Sequence, residues 1–451
     1  MTQRLTLSRT MAYAAPAVGS GFFYIPMWSI LPGVYAKYFS LRLTSIAACV
    51  LLIRIFDGVL DTTVGYLSDH HHSTGASRRP WVIIGGLGSI VACYYLFVPR
   101  PPVTTGYYLV CSLAYFFFFA IAEIPHASWG TDLTMDYQLR AQVFGVRNIM
   151  QKLGIAAFYA LPLLPIYVST AYAPPVLRDA VFVGALLTVI GVAWALLAAP
   201  VALTCPTITK DSPRLLINSL TRNKPLTLYI AAFGCGGLCY GMWFGLLYFY
   251  LDTYLGLGGK VATIFLTATV LATLSTPLWL KLINKTSKST AWAACVILFA
   301  IQLTATWFLK PGTVWWVPLL LIAAANVCFS GHDVSTLSIL GDIADYGKLK
   351  FGRDRGATYI ACNTLIFKVG LGLGGGISIG IAGLFGFIPS QATNSDGAVL
   401  GLKCGLVILP MCLAFLSLFF ILRTPINRRR HGVIQRRLER RLTRGEEQAV
   451  A

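Results

Sequence analysis

The chain has 451 residues, is 56% hydrophobic and 12% charged, and carries a formal net charge of +19 at pH 7. Soluble domains hold about 25% charged residues, so the composition excludes a water-soluble fold and predicts an all-α polytopic membrane protein. The positive charge sits mainly in loops and in a basic tail, which calls for anionic lipid headgroups as partners and for no nucleic acid.

The N-terminus, "MTQRLTLSRTMAYAAPAVGSGFF", has a basic start and no small-residue cleavage site after a short apolar core. It is read as a tail leading into the first span and not as a removed signal. Hydropathy then predicts twelve transmembrane helices, at 11–38, 43–67, 81–98, 106–128, 143–169, 178–201, 225–251, 260–282, 290–309, 314–341, 358–386 and 398–422. The polar stretch 202–224 divides them six and six, the mark of a duplicated transporter architecture. The expected units are a six-helix bundle over 1–201, a linker over 202–224, a second bundle over 225–422 and a basic tail over 423–451.

Lys and Arg crowd one set of loops: Arg4 and Arg9, Arg78 and Arg79, Arg140, the 210–224 linker, Lys281 to Lys288, Lys348 to Arg355 and the tail. The opposite loops hold only Lys37, Arg42, Arg100, Arg178, Lys260 and Lys310. The positive-inside rule therefore places both termini in the cytoplasm. Most of the 11 cysteines fall within apolar spans without metal-ligand spacing and are read as small packing residues.

The informative residues are the charges inside the spans, because each costs about 2.5–3.5 kcal/mol at the bilayer centre unless it faces water or a partner. In span two, "RIFDGVLDTTVGYLSD" sets Asp57 and Asp61 one turn apart on one face with Arg54 three residues earlier. At 1.5 Å per residue Asp57 lies about 21 Å along that span. Two such carboxylates hold a shared proton or a shared cation; an Arg54–Asp57 structural pair is the simpler reading and leaves Asp61 without a role. In span four, Glu123 precedes Pro125, and Arg147 stands one turn into span five. An arginine fork suits vicinal hydroxyls or a carboxylate, so the two read either as substrate contacts or as a clamp between helices. Lys152 is a further cation at that depth. In span ten His332 and Asp333 point to different sides, with Asp333 read as facing the cavity. In span eleven "NTLIFK" sets Asn363, Thr364 and Lys368 on one face ahead of a glycine-rich run that permits close helix approach. Tyr24 and Trp28 supply aromatic faces in span one. No Walker A, potassium filter or zinc-protease motif occurs, so no enzyme, pump or cofactor is expected.

Three blocks, "RIFDGVLDTTVGYLSD…SRRPW", "EIPHASWGTDLTMD" and "GDIADYGKLKFGRDRGATYIACNTLIFKVG", together resemble the glycoside–pentoside–hexuronide:cation symporters of the major facilitator superfamily, the family of melibiose permease. The resemblance implies the major facilitator fold, alternating access between two six-helix bundles, and a monomer of the cell membrane. It implies Asp57 and Asp61, with Thr364, as the site of a proton or sodium ion. It implies Glu123 and Arg147 as substrate contacts, Thr364 and Lys368 as cavity residues of the second half, and Asp69, Arg140, Asp342, Asp345 and Arg353 as a cytoplasmic gate; Asn363, Asp333, Tyr24 and Trp129 are added as expected substrate contacts. The chain departs from the galactoside carriers at Gly21, Thr62 and Ala127, with Trp129 displaced by two positions. The residues between the aspartates, Gly58, Val59 and Leu60, offer no side-chain ligand. These departures favour protons over sodium and argue against a galactoside. The expected activity is cation-coupled symport of a small sugar, glycoside or sugar acid, with a lysolipid-like solute as the alternative cargo.

Overall fold

The computed structural model describes residues 6–134, 137–200, 222–351, 356–391 and 393–425, with positions 430, 432–434 and 436–437 of the tail. Among these the regular structure is helical, with no strand. In chain order the helices are α1 (Leu7–Ala14), α2 (Pro16–Ser29), α3 (Leu31–Tyr38), α4 (Leu43–Ser73), α5 (Arg79–Phe97), α6 (Thr105–Asp132), α7 (Tyr137–Ala160) and α8 (Pro174–Ala198). After the linker come α9 (Lys224–Phe249), α10 (Val261–Lys285), α11 (Lys288–Trp307), α12 (Trp316–Phe351), α13 (Gly356–Leu384), α14 (Asp396–Lys403) and α15 (Leu409–Arg423).

Ten stretches are long and apolar enough to cross a membrane, and an eleventh forms when α1–α2 and α3 count as one span bent by 51°. Pro26 inside α2 and Pro32 in the first turn of α3 explain that bend, since proline removes a backbone donor and crowds the preceding turn. The twelfth expected span coincides with α7. That helix has the length, but Arg140, Arg147 and Lys152 lower its apolarity, so length and composition alone do not mark it as spanning. Most of the 202–224 linker, Arg353 and most of the basic tail lie outside the described residues. The described cysteines are free thiols, most of them buried or half-buried.

Successive long helices reverse direction, so the bundle has two ends. Residues 73–79, 132–134, 198–200, 222–224 and 285–288, with the ends of the helices at 351 and 356, lie at the end that also holds residues 7 and 423. Residues near 38–43, 97–105, 160–174, 254–260, 307–316 and 384–396 lie at the far end. The helices before residue 200 and those after 222 meet along an antiparallel seam between α4 and α13. Gly383 lies on Leu43 and Thr44, Gly380 on Ala47, Gly376 on Leu51, and Gly372 on Arg54. Glycine at 372 is required, because a β-carbon there would fall 2.0 Å from Cδ of Arg54. Within the second half α9 and α13 approach until the backbone of Leu371 touches Gly241, the close crossing that small residues permit in lipid.

The seam closes from the far end only as far as Asp61 and Lys368. One turn further, Gly65 meets nothing nearer than Ile124 of its own half at 3.8 Å, and Ile360, Ala361, Thr364 and Leu365 are exposed. At the far end the halves are locked. Lys37 Nζ donates to Asp252 at 2.7 Å, the Thr170 hydroxyl donates to the Gly259 carbonyl, and Gly33 accepts the Tyr248 ring. Asp252 is turned into this contact by a π-helical turn over Tyr250–Tyr254.

Candidate substrate and cation site

The face of α4 predicted from its i, i+3 and i+7 spacing carries Arg54, Asp57 and Asp61. Arg54 Nη1 donates to Asp57 Oδ2 at 2.9 Å, and both side chains are almost fully buried. The guanidinium lies over the Trp28 indole from α2, a cation–π contact that strengthens where water is excluded. Asp61 is reached from the other half: Lys368 Nζ donates to Asp61 Oδ2 at 2.5 Å and lies 3.9 Å from Asp57 Oδ2. Lys368 and Asp61 are partly open to the interior, with 23% and 22% of their side chains exposed. The four groups thus form a chain Arg54–Asp57–Lys368–Asp61 in which charges alternate. Asp57 Oδ1 is buried and receives no hydrogen bond.

A second pair stands beside it. Arg147 of α7 donates to Glu123 of α6, and the Ser20 hydroxyl of α2 donates to the other Glu123 oxygen at 3.3 Å. Lys368 lies within electrostatic reach of Glu123, so the two pairs share one interior. Tyr24 stacks on Phe119 at 4.9 Å between ring centres and meets Trp28 edge-on; it is the aromatic wall between the pairs. A recess behind Glu123 is lined by Ser20, Ser89, Tyr115, His126 and Thr188.

The structure separates residues that the sequence reading had put together. Asn363 is buried in the second half, where its Oδ1 accepts a hydrogen bond from Tyr229 at 2.7 Å. Thr364 is exposed and donates to the Ile360 carbonyl in its own helix, so its hydroxyl offers nothing to Asp57 or Asp61. Steps of one and five residues along α13 turn these side chains to different sides of the helix. Trp129 is buried away from the interior, donating to the Pro200 carbonyl and packed edge-on against Tyr13. His332 turns into the second half, accepting from Trp292 and stacked on Phe233. Asp333 is half-buried, with Lys152 of the opposite half in electrostatic reach.

Of the expected gate, Asp69 pairs with Arg78 at 2.9 Å, and Asp342 accepts from Lys288 at 2.6 Å. Asp345 lies in the last turns of α12 and makes an ionic or polar contact. The side chain of Arg140 and the whole of Arg353 lie outside the described residues. The sequence reading missed the hub of this end, Arg78, which also donates to Asp132 at 2.9 Å and to Ser68 at 2.8 Å. "SRRPW" was the available signal, yet adjacent arginines at a loop resemble ordinary loop charge. Lys37 and Asp252 were likewise read as loop and span-end residues, and no local pattern links positions 215 residues apart.

A multi-helix membrane bundle with matched charges buried between two halves defines a transporter. The chain belongs to the family described as MFS/sugar transport protein, whose model matches residues 12–428; this agrees with the symporter family that its motifs resemble. It is 25% identical to the uncharacterized symporter YjmB of Bacillus subtilis (strain 168), over 93% of this chain and 92% of that protein. It is 22% identical to the glucuronide carrier protein homolog of Escherichia coli (strain K12), over 93% of each. Among solved structures, the nucleoside transporter NupG in its D323A form superposes with a TM-score of 0.69 at 11% identity, covering 93% of this chain and 100% of that one. The protein is accordingly a multi-pass transporter of the cell membrane that carries a small molecule, and not an enzyme. The lysolipid alternative is not favoured by these likenesses.

Proposed function

We propose that this protein is a proton-coupled symporter of a small sugar, glycoside or sugar acid, working by alternating access between bundles 1–201 and 225–422 with both termini cytoplasmic. On that orientation the structure is inward-facing, with the seam shut at the far end and parted beyond Asp61. The observation that carries the reading is the Lys368 ammonium held between Asp57 and Asp61. It occupies, from the opposite half, the place where a transported cation would sit. A proton arriving on Asp61 neutralises the carboxylate and removes the main attraction for Lys368, so cation loading and the seam between the halves depend on one bond. Glu123 and Arg147, with Tyr24 as a flat apolar wall, are the substrate contacts: the carboxylate accepts from sugar hydroxyls, and the guanidinium donates.

A sodium ion is less well served. Gly58, Val59 and Leu60 between the aspartates carry no side-chain oxygen, Asp57 already pairs with Arg54, and Asp61 with Lys368. Too few oxygens remain for a sodium shell, whereas one carboxylate suffices for a proton.

The test is uptake into proteoliposomes. An inward pH gradient in sodium-free buffer is expected to drive accumulation, and a sodium gradient at equal pH is not. Accumulation that requires sodium would overturn the proton assignment, and none under either gradient would overturn symport.

A further inference from the structure

Trp28 of α2 is the seat of Arg54. The guanidinium lies over its indole, and Phe116 of α6 and Tyr24 pack around the ring with centres 4.7 Å and 6.2 Å away. The opposite half closes over the arginine, since a β-carbon at Gly372 of α13 would run into its Cγ, Cδ and Nε. The indole Nε1 is buried and makes no hydrogen bond. With its ring taken by a cation and its one polar atom enclosed, Trp28 is no stacking face for a sugar; its place points to the aspartates instead.

Arg54 needs such a seat. It meets Asp57 through Nη1 alone, at 2.9 Å, while Nε and Nη2 are buried without a hydrogen bond. A carboxylate engaged at both prongs of the fork would fix the plane of the guanidinium, whereas a single N–H···O bond leaves it free to turn. Two unmet donors on a cation draw it toward water and anions. Both are near: Asp61 is one turn beyond Asp57 on the same face, and Asp61 and Lys368 are partly open to the interior. The flat contact with the indole opposes that turn. We infer that Trp28 is a positioning residue of the coupling site, which by pinning Arg54 to Asp57 keeps that carboxylate countered and leaves Asp61 alone to take the proton; this rests on the proton-symport reading above. Two aspartates that look equivalent along the helix thereby acquire different tasks.

The ionisable groups that face this cluster are Tyr24 of α2, Tyr115 of α6 and Lys368 of α13, with Glu123 of α6 beyond the lysine. Phenols ordinarily stay neutral well above pH 7, and Glu123 is held by Arg147. If Arg54 turns away, Asp57 loses its nearest cation, and Lys368, 3.9 Å off and bonded to Asp61, does not counter both carboxylates. Asp57 then competes for the proton, because a carboxylate stripped of its cation favours the protonated form.

The test needs no solute. Full-length protein in lipid is titrated over about pH 5–9, and the infrared carbonyl band of protonated carboxyl groups is followed. In the wild type one carboxyl is expected to protonate in this range, and Asp61→Asn should remove its band. Trp28→Leu should about double the band, the added half disappearing when Asp57→Asn is combined with it. Trp28→Phe, which keeps a ring, should stay close to wild type. Should Trp28→Leu fail to fold, fluorinated tryptophans at position 28 weaken the ring's hold on a cation with little change of shape, and the band should grow with each added fluorine. A band unchanged by Trp28→Leu or by the fluorinated series would overturn the inference while proton coupling at Asp61 stands. A wild-type band that Asp61→Asn leaves intact would bring down the proton-symport reading, and the inference with it.

Discussion

The two ends of the molecule use ion pairs in opposite ways. At the termini end Arg78 gathers Asp69, Asp132 and Ser68, all from one half, and its side chain is 7% exposed against 4% for Asp132. At the far end Lys37 reaches across to Asp252 of the other half; the lysine is 31% exposed, although the Asp252 side chain is only 2% exposed. Losing one partner of a buried pair costs about 3–5 kcal/mol and an exposed pair contributes about 1 kcal/mol or less; Lys37–Asp252, open to water on the lysine side alone, falls between the two. A bond inside a half never has to break during alternating access and can be strong. On the proposed cycle a bond between halves must break each time and has to be weak enough for solute and cation to decide the outcome. The Lys368–Asp61 pair is between halves too, and on the proposed mechanism it is the bond that a transported cation breaks.

The sharpest way to break this comparison is at Asp61. Asp61→Asn removes the cross-half attraction together with the proton acceptor, and concentrative uptake in proteoliposomes is expected to fall about 100-fold or more, while the purified protein keeps its helical circular dichroism. Retained accumulation would remove Asp61 from coupling. Next comes Arg78→Leu, which takes the guanidinium away from Asp132, Asp69 and Ser68 and is expected to cost about 3 kcal/mol of stability, read as a lowered unfolding temperature in detergent. An unchanged temperature would show that this network contributes nothing to the half.

Lys37→Gln acts on the weak bond. A loss of about 1 kcal/mol or more moves a two-state equilibrium at least about fivefold, here toward the state open at the far end. Spin labels at positions 168 and 308, both exposed on far-end segments of opposite halves, should then report a larger population at long distance. An unshifted distribution would show that Lys37–Asp252 does not hold the gate. The smallest effect is expected at Thr364→Ala, since that hydroxyl is exposed and satisfied within its helix. Uptake and its ion dependence should stay within about twofold of wild type, and a larger loss would restore Thr364 to the cation site.

The outcome at individual residues shows where sequence reasoning holds. Arg54, Asp57 and Asp61 were legible because helical spacing alone puts them on one face, and apolar surroundings make each charge conspicuous. Lys368, Glu123 and Arg147 stood out for the same reason. Asn363, Thr364 and Trp129 did not yield to it. A membrane helix is apolar toward lipid and toward its neighbours alike, so hydrophobic patterning does not say which side faces the interior. A polar residue without full charge, such as Asn363, then fits equally well against Tyr229 inside a half or in the cavity.

The sequence by itself determined the helical membrane class, the family and the positions of the buried charges. These follow from local quantities: span length, loop charge and the cost of a charge in hydrocarbon. Tertiary structure alone decided who pairs with whom. That Lys368 meets Asp61 across 307 residues and that Lys37 latches onto Asp252 both depend on how two bundles are set against each other. The small residues along α4 and α13 fix that arrangement through close packing, which no single helix encodes.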